Sequence, residues 1–197
     1  MPNATRLSSV SNFLTKVNQG VKPNLFEVEF AFPNGVTAPS DGLATYMCKA
    51  GALPASNIGV IEVPFRGRTV KIAGDRTFDT WTATFINDTG FAVRQAMELW
   101  MQKINKHDAN TGDLYIPSTN NDGYTRDLIV RQLERDSAGP NAVLRTYKLW
   151  GAFPTNVSQI DLAYDSNDQI EDFTVEFQYQ YWTVDAAQGA PGGGSIV

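Results

Sequence analysis

The sequence predicts a mainly β protein, a β-sandwich or distorted antiparallel barrel with one main flanking α-helix. Three stretches carry that expectation. Residues Phe173–Trp182 read FTVEFQYQYW. Strand side chains alternate with period two, so Phe173, Val175, Phe177, Tyr179 and Tyr181 are placed on a packed face, and Thr174, Glu176, Gln178, Gln180 and Trp182 on a mainly polar one. Phe78–Asn87 repeats the division, setting Trp81, Ala83 and Phe85 against Thr80, Thr82 and Thr84. Only Gly90–Lys106 has sustained helical spacing. Its stripe of Val93, Met97, Trp100 and Ile104 reads as core packing.

The remaining elements follow in order. Leu7, Val10, Leu14 and Val17 recur at helical spacing before Gly20, which predicts a short N-terminal helical arm over residues 1–21. A β-sandwich domain is expected over 22–184, and AAQGAPGGGSIV ends the chain as a flexible Gly-rich tail over 185–197. Within the domain, Asn24–Phe32 is read as a strand with Phe26, Val28, Phe30 and Phe32 on one face. Strands are also expected at Leu43–Lys49, Ile58–Arg66, Thr69–Ala73, Leu128–Leu133, Val143–Trp150, Gln159–Tyr164 and Ile170–Val184. Phe65-Arg66-Gly67-Arg68 reads as a hairpin turn. Asp88 or Thr89 caps the main helix, and Lys103 and Lys106 suit the negative end of its dipole. The polar stretch Asp108–Arg126 is long for a loop in a compact domain, which marks it as a contact candidate.

Composition narrows the function. The 197 residues fit one domain with a sizeable core. A net charge of −5 opposes a phosphate-gripping surface, since nucleic-acid affinity needs clustered Lys and Arg. The single cysteine, Cys48, excludes an internal disulfide and a cysteine-based zinc cluster, and fits synthesis in a reducing cytoplasm. No apolar run reaches the ~20 residues that span a bilayer.

Chemistry is scarce. The one histidine, His107, ends the helix with no nucleophile context around it, so no Ser-His-Asp arrangement is expected. YDSNDQIED offers Asp165 and Asn167 at the first positions of a calcium loop, but Ile170 stands where that loop needs glycine. It reads instead as an Asp/Asn-rich turn. Asp75, Arg76 and Asp79, close together in AGDRTFD, read as a salt-bridged turn within or between subunits rather than an acid–base pair. No cofactor, metal or catalytic residue is expected, and the chain is read as a non-enzyme.

Five segments resemble the tail tube protein of T4-like contractile-tailed bacteriophages. They are KPNLFEVEF (22–30), CKAGALPAS (48–56), VKIAGDRTFDTWTATFIND (70–88), LIVRQLERD (128–136) and WGAFPTNVSQIDLAYDSNDQIEDFTVEFQYQYW (150–182). The resemblance implies a structural subunit forming hexameric rings that stack into a tube inside a contractile sheath. Implied partners are further copies of itself, the sheath protein, and baseplate, tape measure and tail terminator proteins. Viral DNA would pass through the channel without specific binding. The implied location is the virion tail, after synthesis in the host cytoplasm and with no membrane insertion by this chain. With about four strands from each subunit, a hexameric ring closes roughly 24 strands about 4.8 Å apart. That leaves a channel roughly 35–40 Å wide, against about 20 Å for B-form DNA.

Thr80, Thr82, Thr84, Glu176, Gln178 and Gln180 are then candidates for a lumen or inter-subunit face, and Asp75, Arg76 and Asp79 for an inter-subunit charge cluster. Contacts between rings are expected from Asp41–Ser56, the Asp108–Arg126 loop and the N-terminal helix. The alternative is a tube subunit of a contractile protein-injection system of type VI secretion or pyocin kind.

Overall fold

One long strand organises the body in a computed structural model that describes Val10, Phe13 and residues 20–119, 123–135 and 143–186. Strand β7 (Val143–Val157) runs through two sheets. Its first half pairs with β6 (Arg126–Leu133) on one edge and β9 (Tyr181–Ala186) on the other. Its second half pairs with β8 (Asp172–Gln178). From there the order runs outward on one side through β6 to β1 (Phe26–Glu29), and on the other through β8 and β5 (Trp81–Ile86) to β2 (Cys48–Gly51). All these pairings are antiparallel. The two ends of the order approach each other, with Gly51 of β2 against Val28 of β1, and the short helix α1 (Leu43–Met47) covers the seam.

Between the sheets lies an aromatic core. Phe85 stacks on Phe173 at 5.6 Å, and Phe30 meets Trp81, Phe85 and Phe177. Helix α2 (Ala92–Ile104) closes the core with Val93, Ala96, Met97 and Trp100 fully buried, as the stripe requires. Its start combines two devices. Phe91 adopts a left-handed φ of 53°, and the Asp88 carboxylate accepts the N–H groups of Gly90 and Ala92, satisfying a free donor of the first turn.

Strands β3 (Asn57–Phe65) and β4 (Arg68–Thr77) form a separate hairpin. Arg66 and Gly67 both have positive φ, the geometry of a two-residue turn that matches strand twist. β2 leads into β3 through residues 52–56, and β4 into β5 through 78–80. The four strands are therefore one long hairpin whose inner part belongs to the body and whose outer part stands free as an arm. Near the arm's root Gly59 lies against Gly74, where a Cβ would come within 3.2 Å of the Gly59 carbonyl.

Several expectations need correction. The strand expected at Leu43–Lys49 begins only at Cys48: residues 43–47 are helical, following left-handed Asp41 and Gly42 that turn the chain onto the seam. Gln159–Tyr164 forms no strand, because β8 already occupies the edge of β7 it would need, and Leu162 and Tyr164 face outward. β7 continues past Trp150, with Gly151 (φ 62°) bending it and Pro154 placed beside a bulge, where the missing N–H is tolerated. Ile170–Val184 is two strands, and the break reverses its alternation: Tyr179 is buried, Tyr181 is exposed, and Trp182 packs on the core. The N-terminal helix lies outside the described residues except for Val10 and Phe13, which are helical and exposed.

The 108–126 segment is partly fastened. Asp113 pairs with Lys103 at 2.6 Å and Lys106 at 2.7 Å, and Leu114 is buried. Arg126 is buried at the segment's end, donating to the carbonyls of Phe32, Gly123 and Thr125.

Two outcomes follow. Trp100 is fully buried, donates to the Tyr124 carbonyl at 2.7 Å and meets Phe32 and Phe177 edge-on. Trp100→Ala is expected to cost about 3–5 kcal/mol in denaturant unfolding. The Lys103 and Lys106 hydrogen bonds pull the Asp113 carboxyl down from 3.8 to about 2. A lowered folded value gives stability that is full above the unfolded value and lost as pH falls through the folded one. Asp113→Asn is therefore expected to flatten the thermal-stability slope between about pH 4 and pH 2.

Candidate assembly surfaces

The polar rows of β5 and β8 lie side by side. Thr82 is opposite Glu176, and Thr84 opposite Thr174 with their hydroxyls 3.5 Å apart. Gln178 donates to the Thr80 hydroxyl at 2.7 Å, extending the row beyond the start of β5. Thr80, Thr82, Thr84, Glu176 and Gln178 thus share one accessible face, backed by buried Trp81, Ala83, Phe85, Phe173, Val175 and Phe177. Gln180 stands apart at the break after β8. Its N–H bonds the Trp150 carbonyl, and its side chain crowds Gly151, where a Cβ would lie 3.1 Å from Gln180 Cγ. Among these six residues only Glu176 is charged.

The outer face of the other sheet is different. Arg131 bonds Glu29 at 2.6 Å and reaches Glu27 at 3.7 Å, and Lys148 meets Asp127 at 3.0 Å. The Lys148 ammonium also sits 3.5 Å over the Trp150 ring, which stacks on Tyr181. Those charges are satisfied within the chain.

Asp75, Arg76 and Asp79 do not form a turn. Asp75 and Arg76 lie in β4, and Asp79 in the linker to β5. Among the described residues the three make no ion pair with one another. Arg76 donates to the Ser56 hydroxyl at 3.2 Å, and Asp79 accepts from the Asn57 amide. Arg76 and Asp79 tie the arm to its root.

The surface that sequence reasoning missed is the arm itself. Ile61, Val63 and Phe65 share a face with Ile72 and Val70 across the ladder. On the other face Val60 and Pro64 flank a Glu62–Lys71 pair. The large apolar side chains of β3 and β4 are 42–61% exposed, and the arm buries none of them in the body. A signal was present: IGVIEVPF carries apolar residues at both parities, the pattern of a strand covered on both faces. Among the described residues nothing covers either.

Burial pushes the Cys48 thiol up to about 12, so it stays protonated at neutral pH. His107 is exposed at the end of α2. Among the described residues no group of His, Cys, Asp and Glu is arranged to hold a metal ion, and no helix is long and apolar enough to cross a membrane.

Comparison with known proteins now bears on these surfaces. Residues 21–185 match the Phage tail tube protein family. The chain is 37% identical over 161 residues to tail tube protein gp19 of Enterobacteria phage T4, covering 82% of this chain and 90% of that one. In fold it is similar to a chain of the anti-feeding prophage tube-terminating cap, with a TM-score of 0.58, 17% identity and coverage of 85% and 91%. It is also similar to a chain of the sheath–tube complex of an extracellular contractile injection system, with a TM-score of 0.55, 17% identity and coverage of 91% and 99%. With a family match over residues 21–185 and this extent of identity along most of both chains, the chain belongs to the phage tail tube protein family.

Proposed function

We propose that the protein assembles as hexameric rings stacked into the inner tube of a contractile phage tail, through which viral DNA and the tape measure protein pass. The observation that carries this reading is the arm. A hairpin apolar on both faces is costly to leave in water, at about 25 cal/mol for each Å² of apolar surface left uncovered. A second copy of the chain is the partner always available to a homopolymer.

The β5–β8 face, with Thr80, Thr82, Thr84, Glu176 and Gln178, and Gln180 at its end, is assigned to the lumen or the adjoining inter-subunit surface. A wall of threonine hydroxyls, glutamine amides and the Glu176 carboxylate, with Lys49 beside it already paired to Asp172, gives phosphates little to adhere to, which suits passage without binding. Asp75, Arg76 and Asp79 lie where the arm meets the body and are assigned to the rim of the subunit contact. Residues 1–21 and 185–197 are read as extensions of the tube domain at 22–184. The sheath, baseplate, tape measure and terminator proteins are the remaining partners, and the subunit is made in the host cytoplasm before entering the virion tail. Identity of 37% to a phage tube protein, against 17% to injection-system chains, favours DNA passage over protein delivery.

The test is electron microscopy of purified protein growing on baseplates. Six-fold rings stacked into hollow tubes are expected, and rings of another order would overturn the proposal. Ile61→Lys combined with Ile72→Glu is expected to leave subunit stability within about 1 kcal/mol, since both side chains are exposed and the new charges pair across the ladder. Tube growth should be abolished. Tubes of normal length from that variant would show that the arm is not the contact.

A further inference from the structure

We propose that Trp182 is a positioning residue for assembly, fixing the direction in which the arm leaves the body. The proposal rests on the reading that the arm docks on a second copy.

The ladder breaks between β8 and β9. If the alternation of FTVEFQYQYW continued unbroken, Trp182 would stand outside with Glu176 and Gln178. Instead the chain bends at Tyr179–Gln180, opposite the bend of β7 at left-handed Gly151, and the faces exchange. Trp182 turns inward beside Tyr147, and its indole N–H donates to the Ala55 carbonyl at 2.9 Å. Ala55 lies in the 52–56 linker that joins the body to the arm.

A second indole acts on the same linker. Trp81 donates to the Ala52 carbonyl at 2.6 Å. The returning linker, 78–80, is held from the same break, with the Phe78 ring 5.8 Å from Tyr179 and Thr80 bonded to Gln178. The arm's two roots are therefore clamped by side chains from β5, β8 and β9. Trp81 is part of the buried core. Trp182 lies at the core's margin, where its N–H can be removed without emptying the interior.

Geometry makes this bond matter. A nine-residue strand is about 30 Å long, so an error of ~10° at the root moves the tip by about 5 Å, more than a strand spacing. A pre-aimed arm also avoids paying ordering entropy at each docking step.

Trp182→Phe keeps a ring and removes the donor; benzothienylalanine at position 182 keeps nearly the whole indole shape and also lacks the N–H. Spin labels on Thr69→Cys in the arm and Thr89→Cys in the body report the arm's direction in dilute subunits, and the buried Cys48 leaves the labelling selective. Either variant is expected to broaden the distance distribution at least twofold and raise the critical concentration for tube growth at least tenfold, with an unchanged far-ultraviolet spectrum. An unchanged distribution overturns the proposal. If growth is then lost, Trp182 acts by touching the neighbour; if growth is normal, it has no part in assembly. A broadened distribution with normal growth overturns it as well. Deleting Asn57–Thr77 tests the underlying reading separately: tubes from that deletion would sink arm docking itself, whatever Trp182 does.

Discussion

Strand β7 cannot be moved without moving everything else. Its fifteen residues bond β6 along one edge and β9 then β8 along the other, so both sheets take their orientation from it. A straight strand could not serve both sheets. The bend at Gly151, where φ is 62°, lets one strand turn the corner between them, as glycine does where a side chain would be strained. The core, the helix that seals it and the seam under α1 all follow from that corner. So does the matching bend in β8–β9, because two paired strands must turn together.

The corner also separates two kinds of surface. Charged side chains on the β1–β6–β7–β9 face are matched within the chain, Arg131 to Glu29 and Lys148 to Asp127. Exposed pairs of this type contribute little to stability, and Arg131, shared by Glu27 and Glu29, leaves that part of the face acidic. The β5–β8 face carries Glu176 and the Asp172–Lys49 pair among uncharged polar side chains, and the arm exposes apolar side chains on both faces beside its Glu62–Lys71 pair. Folding therefore depends on the body, β5 and β8 packing one face inward and presenting the other, while the arm adds nothing to the core.

Sequence legibility followed the same division. Elements whose two faces meet different surroundings were readable: the stripe on α2, the rows Trp81/Ala83/Phe85 and Phe173/Val175/Phe177, and the turn at Arg66-Gly67. The five-residue helix at Leu43–Met47 was not, because so short a helix owes its existence to the seam it covers rather than to propensity. Gln159–Tyr164 has strand-like alternation but no free edge to join, and alternation alone supplies no partner. Trp182 was placed on the wrong face because period two holds only while the ladder is regular, and no residue in FTVEFQYQYW marks the break. The signal lay across the sheet, in Gly151. Among the candidate site residues, the polar face was legible from Thr80 to Gln178. The role of Arg76 and Asp79 at the arm's root was not, since their partners Ser56 and Asn57 are distant in sequence.

Gly59 against Gly74 has a mechanical meaning. The ribbon is thin at this point, and the Ile61 side chain lies over Gly74, 3.3 Å from where its Cβ would be. A side chain at position 74 would have to push Ile61 and the Gly59 carbonyl aside, wedging the two strands apart next to the anchored linker. The arm would then splay at its base while the body to which it is attached stayed undistorted.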